Sequence, residues 1–249
     1  DIELEFVGTK NGVEVELLVD TGIKFHTIAK VPFPRELNLY ALSWPFKFLD
    51  AFLSAIRILR SADLVIGFGG YVSAPAYLAA ALLRKPLIIH EANAIPGLAN
   101  KIGARFTKNI FIAFEGARKS NQAFSEAVTS GMPMKEAIEN FDPSTSRLLK
   151  EGFCRGLGLT PEKPLLLAFG GSLGARKLND AIEKALPLVD SLGWNLVHAV
   201  GNSNQLPESK DFYRPVNYIV DMASAYAAAD FVISRSGAVT CAELEVFGV

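Results

Sequence analysis

The chain of 249 residues is half hydrophobic and one fifth charged, which suits one large or two medium globular domains with a sizeable core. With a net charge of −1, no global basic field argues for a nucleic-acid partner, although local basic patches stay open, and no apolar run approaches the roughly 18 residues of a membrane span. Two widely separated cysteines, Cys154 and Cys241, predict a reducing compartment without a zinc site or a disulfide framework.

The N-terminal half alternates between predicted strands and helices. Residues 2–7 alternate as in a strand, a helix ending at Val19 follows, and the next apolar strand covers residues 23–28. Strand, helix and strand in alternation, each ended by Gly or Pro, predict a parallel sheet covered by helices. The chain begins directly on a strand and stops where a helix would lead into the next strand, so we expect further segments at both ends.

The segment between Lys30 and Arg60 combines aromatic and basic side chains, and it contains a long predicted helix from about Ser43 to Leu59. Five basic residues stand against two acidic ones, a local charge of +3. Such a segment can rest on an anionic membrane surface. A core helix with a solvated basic face explains the same pattern, so both interpretations stay open.

Glycines and polar residues follow the next two predicted strands. The turn at residues 67–70 contains three glycines, which let a backbone approach a ligand closely. The following strand ends in His90, Glu91 and Asn93. In doubly wound sheets the ligand crevice lies at the carboxyl ends of the strands, so these three side chains are site candidates.

The C-terminal half repeats the pattern after a turn at residues 130–135, which we interpret as the crossover between domains 1–134 and 135–249. A strand from residue 164 leads into a glycine-rich turn at 170–174 and an amphipathic helix. This turn matches neither the P-loop nor the Gly-x-Gly-x-x-Gly fingerprint. Further strands are predicted at residues 195–200, 216–220 and 230–234.

The last predicted strand runs into Arg235, Ser236 and Gly237, and small residues then open a helix. Ser236 is the predicted N-cap, and a helix start at the end of a parallel strand favours binding of a phosphate or diphosphate. Glu243 lies about two turns further along, where its carboxylate could accept hydrogen bonds from ribose hydroxyls. An ordinary capped helix with a solvated glutamate is the alternative.

Six ordered segments carry a resemblance to a known family: Gly67–Pro75, His90–Gly97, Gly170–Arg176, Asp221–Ala223, Ala229–Asp230 and Arg235–Glu243. Their order and spacing resemble those of MurG-type enzymes. Those peptidoglycan glycosyltransferases move N-acetylglucosamine from UDP onto lipid I, the lipid-linked muramyl-pentapeptide, and so make lipid II. The similarity extends over nearly the whole chain.

The resemblance implies an α/β fold of the GT-B glycosyltransferase class, with two Rossmann-like domains facing a cleft. The lipid acceptor would bind to the N-terminal domain and the UDP-sugar mostly to the C-terminal one. The implied partners are UDP-N-acetylglucosamine, lipid I and the cytoplasmic membrane surface, with the protein peripheral on the cytoplasmic face of the bacterial inner membrane. No cofactor, metal ion or nucleic acid is implied, and the chain has no Asp-x-Asp metal motif.

The resemblance also suggests site residues. Those expected at the donor are Asn93, Lys135, Ser172, Leu173, Ile219, Met222, Arg235, Ser236, Gly237, Ala238, Val239, Thr240 and Glu243. Those expected at the acceptor are Gly69, Gly70, Tyr71 and Ser73. An inverting transfer needs a base that takes the proton of the acceptor hydroxyl, and Glu91 or His90 is proposed for it.

The chain departs from the family pattern at four places. Gly131–Lys135 replaces Gly-Asn-Pro-Val-Arg, which exchanges a bidentate Arg for the point charge of Lys135. Leu173 stands where the family has Gln, and the family's first strand with its His-bearing loop is absent, as is everything beyond Gly248. We therefore expect the chain by itself to be inactive.

Three other functions compete with this one. A non-catalytic nucleotide-sugar-binding protein is favoured by the departures above. A related GT-B glycolipid synthase differs only in its acceptor. A nicotinamide-dependent Rossmann enzyme is disfavoured because the dinucleotide fingerprint is absent.

Overall fold

The computed structural model describes residues 2–10, 15, 18, 21–34, 36, 39–171, 173–202 and 204–249. The chain forms two compact units, Asp1–Met132 and Pro133–Val249. The domain boundary that we predicted, at residues 134 and 135, lies two residues away. The predicted helix ending at Val19 lies mostly outside the described residues, and so does the predicted donor residue Ser172.

The N-terminal unit contains two parallel sheets among its described residues. One pairs β1 (Glu5–Gly8) with β2 (Lys24–Thr27). The other has the order β3-β4-β5-β6, formed by Val65–Gly67, Leu87–Glu91, Ile110–Ile112 and Val128–Thr129. The α-helices of this unit are Leu39–Leu59, Ser73–Leu82, Leu98–Gly103 and Glu115–Ser120, with a 3₁₀ turn at Gln122–Phe124.

The helix Leu39–Leu59 begins about four residues before the predicted start and contains Pro45. It packs through Ala55 and Leu59 into a core with Tyr77, which lies on the next helix, and with strand β4. Pro45 lies in the second turn, where it has no amide proton to donate to the carbonyl four residues earlier. The buried residues Ala51, Ala55 and Leu59 lie on one face of this helix, which is the face that packs into the core.

The C-terminal unit contains one four-stranded parallel sheet. Its order is β10-β7-β8-β9, with β7 at Leu165–Phe169, β8 at Asn195–Ala199, β9 at Tyr213–Val216 and β10 at Phe231–Ser234. Its helices are Glu136–Glu139, Ser146–Gly156, Arg176–Ser191, Met222–Ala228 and Ala238–Phe247, with a 3₁₀ turn at Pro143–Thr145. Strand β7 is buried on both faces: Leu165 and Leu167 belong to one core cluster, and Leu166 and Ala168 to the other. A central parallel strand is expected to be apolar throughout for this reason.

The predicted position of β9 along the chain was wrong. The strand covers Tyr213–Val216 instead of 216–220, and it includes Pro215. Since β9 lies at the edge of the sheet, a proline without an amide proton is tolerated there. The apolar residues after Val216, including Ile219, therefore belong to the loop at the carboxyl end of β9.

A buried polar cluster links β8 with its neighbours. His198 is fully buried; its Nδ1 lies 3.1 Å from the Tyr213 hydroxyl, and its Nε2 lies 3.1 Å from Oδ1 of Asn179. The Asn179 amide in turn donates to the carbonyl of Val200 at 2.9 Å. This network assigns the neutral imidazole with its proton on Nε2. Burial lowers the pKa of His198 to about 4, in agreement with that assignment.

Candidate functional site

In the C-terminal unit, the ends of two neighbouring strands form one edge of the candidate site. Strand β10 pairs with β7 so that Ser234 lies beside Phe169, and both strands are followed by glycine-containing loops. Gly171 has a φ of +92°, and a Cβ there would lie 2.8 Å from Nη2 of Arg235. The absence of a side chain at Gly171 therefore lets the Arg235 guanidinium lie directly against the first loop.

The helix after β10 starts one residue later than predicted. Its N-cap is Gly237, and no side chain caps the first turn. The prediction that the Ser236 hydroxyl caps this helix was therefore wrong: Ser236 is exposed and precedes the cap. The first-turn amides lack a side-chain partner, so they remain available to an anion beside Arg235.

Two adjoining cavities lie at this edge. The first, of about 300 Å³, is lined by Phe169, Gly171, Arg235, Ser236, Gly237 and Thr240. The second, of about 320 Å³, shares Phe169, Gly171 and Thr240 with the first, and it extends to the loop after β9. The predicted donor residues that line one or both cavities are Lys135, Ile219, Met222, Arg235, Ser236, Gly237, Thr240 and Glu243.

The remaining predicted donor residues do not line these cavities. Leu173 is exposed on the first loop, and Ala238 and Val239 lie in the first turn of the last helix. Asn93 lies in the N-terminal unit. The cavities thus bring together eight of the residues that the resemblance suggested: Lys135 before the helix Glu136–Glu139, Ile219 and Met222 after β9, and five residues after β10.

Glu243 is held by a tyrosine that the sequence analysis missed. The hydroxyl of the buried Tyr226 donates to Oε2 of Glu243 at 2.8 Å, and both residues line the second cavity. Burial raises the pKa of Tyr226, and the Glu243 carboxylate raises it further, so the phenol stays protonated and acts as the donor. Among the described residues only Oε2 is engaged, which leaves Oε1 for a ligand. The one available signal was a lone tyrosine in the alanine-rich helix Met222–Ala228.

In the N-terminal unit, Glu91 is buried at the end of β4 with 1% of its surface exposed. Its Oε1 accepts hydrogen bonds from the backbone and side-chain amides of Asn93, both at 2.9 Å. Its Oε2 accepts from the backbone amide of Gly97 at 2.8 Å and from Nδ2 of Asn100 at 2.9 Å. All four donors belong to the segment that follows β4.

This network continues to the loop after β3. Oδ1 of Asn100 accepts from the Tyr77 hydroxyl at 2.8 Å, and the same hydroxyl accepts from the amide of Gly69 at 3.2 Å. Ser73 is buried, and its hydroxyl donates to the carbonyl of Gly69 at 2.5 Å. Of the predicted acceptor residues, Gly69 and Ser73 are thus tied into this network, whereas Gly70 and Tyr71 are exposed.

Two further predicted residues of this unit have defined partners. His90 is buried, and its Nε2 lies 2.9 Å from the carbonyl of Gly131. Tyr71 lies beneath Lys30, whose Nζ is 5.0 Å from the ring centroid. Both candidates for the base, His90 and Glu91, are therefore engaged in hydrogen bonds within the unit.

The Glycosyltransferase family 28 N-terminal domain matches residues 1–112, and the C-terminal domain of the same family matches residues 165–249. Two relatives are named UDP-N-acetylglucosamine–N-acetylmuramyl-(pentapeptide) pyrophosphoryl-undecaprenol N-acetylglucosamine transferase. The one from Streptomyces coelicolor is 38% identical over 98% of this chain and 66% of its own length. The one from Tropheryma whipplei is 39% identical over 98% of this chain and 68% of its own length.

A solved structure of MurG from Acinetobacter baumannii superposes with a TM-score of 0.68 at 29% identity, over 99% of this chain and 68% of that one. A calicheamicin glycosyltransferase with 12% identity and a TM-score of 0.56 shares the fold alone. These similarities confirm the predicted α/β fold of the GT-B class. The chain spans about two thirds of the length of the curated relatives it matches. It belongs to glycosyltransferase family 28, among the MurG-type proteins.

Proposed function

We propose that this protein transfers N-acetylglucosamine from UDP-N-acetylglucosamine to lipid I and so forms lipid II. The observation that carries the proposal is the pair of adjoining cavities at the ends of β7, β9 and β10, with Arg235 at one and Glu243 at the other. The guanidinium of Arg235 in the first cavity fits the diphosphate of a nucleotide. The carboxylate of Glu243 in the second cavity, with Oε2 bonded to Tyr226, fits the ribose of the same nucleotide. The relatives at 38 and 39% identity carry the corresponding name.

In this proposal the donor spans both cavities. The diphosphate lies beside Arg235 and the start of the helix Ala238–Phe247, whose dipole and free amides favour negative charge. The ribose hydroxyls donate to Glu243, and uracil meets the backbone at Ile219 in the second cavity. Lys135 lines the same cavity and can add a positive charge, although a point charge replaces the bidentate Arg of the family.

The chemical step that we propose is an in-line attack by an acceptor hydroxyl on the anomeric carbon of the sugar. The bond from that carbon to the diphosphate oxygen breaks, and UDP leaves with an additional negative charge. Arg235 and the helix start are placed to stabilise that charge, which is the electrostatic contribution expected to matter most. The acceptor hydroxyl must also lose its proton to a base.

Titration calorimetry with UDP and UDP-N-acetylglucosamine tests the donor site, and an assay of transfer to lipid I by the whole protein then tests the reaction. Binding followed by transfer supports the proposal. Binding without transfer to lipid I favours the non-catalytic protein, and transfer to a diacylglycerol acceptor favours the glycolipid synthase. Binding of NADH without UDP would overturn the glycosyltransferase assignment of this site.

Replacing Glu243 with Ala is expected to weaken UDP binding by about 1 to 3 kcal/mol, because charge-assisted hydrogen bonds to the ribose are lost. Calorimetry measures this change directly. Glu245→Ala is the matched control, since Glu245 is an exposed residue of the same helix and lies outside the lining of both cavities. Equal UDP affinity of both variants would remove Glu243 from the donor site.

We also propose that one face of the helix Leu39–Leu59 rests on the membrane. Leu42 and Phe46 are 76% and 75% exposed, and Leu49 and Leu53 continue the same stripe at helical spacing. The basic residues Lys47, Arg57 and Arg60 are exposed on or just after this helix. Exposed apolar side chains beside basic ones are typical of an interfacial helix on anionic lipid. Among the described residues, no helix has both the length and the hydropathy that crossing a bilayer requires.

Replacing Lys47, Arg57 and Arg60 with Glu is expected to weaken binding to vesicles that contain anionic lipid, because each basic residue near the surface contributes about 1 kcal/mol. Co-sedimentation of the whole protein with vesicles at low salt measures the loss. Exchanging Arg147, Arg155 and Lys184 for Glu in the other unit gives the same change of net charge and serves as the control. Equal losses in both triple variants would argue against a specific membrane face.

A further inference from the structure

We infer that Glu91 is a positioning residue that, through Asn100 and Tyr77, holds the loop after β4 against the loop after β3, which is expected to face the acceptor. This inference rests on the proposed function, because it assigns to Glu91 a part other than that of the base. The loop after β3 contains Gly69 and Tyr71, predicted at the acceptor, and the loop after β4 contains Asn93, predicted at the donor.

The hydrogen bonds of Glu91 argue first against proton transfer. Each carboxylate oxygen already accepts two hydrogen bonds, so the acceptor capacity of the group is filled. Taking up a proton would break at least one of these bonds in a buried place, where an unpaired amide is costly. A general base must instead present a lone pair to the hydroxyl from which it removes a proton.

The position of Tyr77 makes the network rigid. Its ring lies between two glycines: a Cβ at Gly67 would be 2.0 Å from Cε1, and one at Gly103 would be 2.4 Å from Cδ2. Burial raises the pKa of Tyr77, so its hydroxyl remains a donor to Oδ1 of Asn100. Because Oδ1 of Asn100 accepts this hydrogen bond, its Nδ2 must face Glu91. Each group therefore has one orientation that satisfies all its partners.

The network also determines which atoms Asn93 offers to a substrate. Its backbone amide and its Nδ2 both donate to Glu91, while the residue as a whole is exposed. Oδ1 and the second N–H of Nδ2 therefore remain for a ligand. We expect Oδ1 to accept from a hydroxyl or an N–H group of the bound sugar.

The test compares Glu91→Gln with Tyr77→Phe in the whole protein. In Glu91→Gln, the side-chain NH2 group replaces a carboxylate oxygen and faces the two N–H groups that this oxygen accepted from. In Tyr77→Phe, only the hydroxyl is lost and the ring is kept. A positioning role predicts that both variants raise the KM for lipid I about tenfold or more. It also predicts unchanged UDP affinity and an acid limb of the pH–rate profile that persists in Glu91→Gln. A general base predicts instead a fall in kcat of about 10²–10⁴ with loss of that limb in Glu91→Gln alone.

Hydrogen exchange supplies a readout that does not depend on activity. Glu91→Gln is expected to speed exchange at the amides of Asn93 and Gly97, and Tyr77→Phe at the amide of Gly69. Thermal unfolding of each variant verifies that it is folded. Transfer that fails in the unaltered protein would refute the proposed function, whereas exchange unchanged by both substitutions would overturn the positioning role itself.

Discussion

Replacing Gly174 with Ala is expected to destabilise the C-terminal unit by about 2 to 5 kcal/mol, from backbone strain and overpacking together. Gly174 has a φ of +75°, and a Cβ there would lie 2.0 Å from the carbonyl oxygen of Val200. The obstacle is backbone at the end of β8, so a rotamer change cannot relieve it. Gly201 packs from the other side, where its own Cβ would be 2.3 Å from the amide of Gly174.

Urea unfolding followed by the fluorescence of Trp194, in a Trp44→Phe background, measures this loss in the unit concerned. Gly193→Ala is the matched control, because Gly193 has a φ of +68° with no atom near its missing Cβ. That control is expected to lower the free energy of unfolding by about 1 to 2 kcal/mol, because only the left-handed backbone conformation opposes the alanine side chain. Similar losses in the two variants would show that the contact with Val200 contributes nothing.

The same change is expected to weaken the proposed binding of UDP, because the loop that contains Gly174 starts at Gly171, which lines both cavities. The carbonyl of Val200 also accepts hydrogen bonds from Asn179 and Asn204. A shift of this carbonyl would therefore disturb both the buried polar cluster and the loop after β8. Calorimetry under conditions where the variant is folded separates the binding effect from the loss of stability.

Acidification from pH 7 to pH 4 is expected to remove about 3 kcal/mol of stability through His198 alone. Burial lowers the pKa of His198 in the folded state from 6.5 to about 4. Between these two values the unfolded chain binds the proton and the folded chain does not, so stability falls as the pH falls. The contribution is complete above pH 6.5, and most of it is lost by the time the pH reaches about 4. Protonated Nδ1 would also point a donor at the Tyr213 hydroxyl, whose own pKa burial raises to about 12.

His198→Gln removes the titration and keeps one donor and one acceptor for the neighbouring side chains. The free energy of unfolding of this variant is expected to fall less between pH 7 and pH 4 than that of the unaltered protein. Titration of carboxylates elsewhere is common to both proteins and cancels in the difference. If the free energies of unfolding of the two proteins depended on pH in the same way, His198 would bind its proton as readily in the folded unit as in the unfolded chain.

Much of the fold follows from local patterns. Strand β7 is buried on both faces, and a strand in that position is apolar throughout and easily recognised. Glycines after β3 and β7 mark the points where the backbone turns with positive φ. The position of Glu243 two turns into the last helix also follows from helix geometry alone. These features are determined by interactions between residues that are close to each other in the sequence.

Local rules failed at the start of the last helix and at the end of β9. A serine is a favoured N-cap, yet the helix begins after Gly237 and leaves Ser236 exposed at the first cavity. The apolar residues after Val216 look like a strand, but only Tyr213–Val216 pair with β8. Pairing with a neighbouring strand, and not hydrophobicity along the chain, decides where an edge strand ends.

The sequence alone was sufficient for the alternating α/β pattern, the family and the strand ends that border the two cavities, because these depend on periodicity, glycines and short motifs. The tertiary structure decided what the polar groups at those ends do. Tyr226 reaches Glu243 from another helix, and Asn100 with Tyr77 ties Glu91 to the loop after β3. Hydrogen bonds between groups 9 to 23 residues apart depend on distances that no local pattern encodes. A buried carboxylate with every acceptor site filled and a free catalytic base are therefore indistinguishable until the chain is folded.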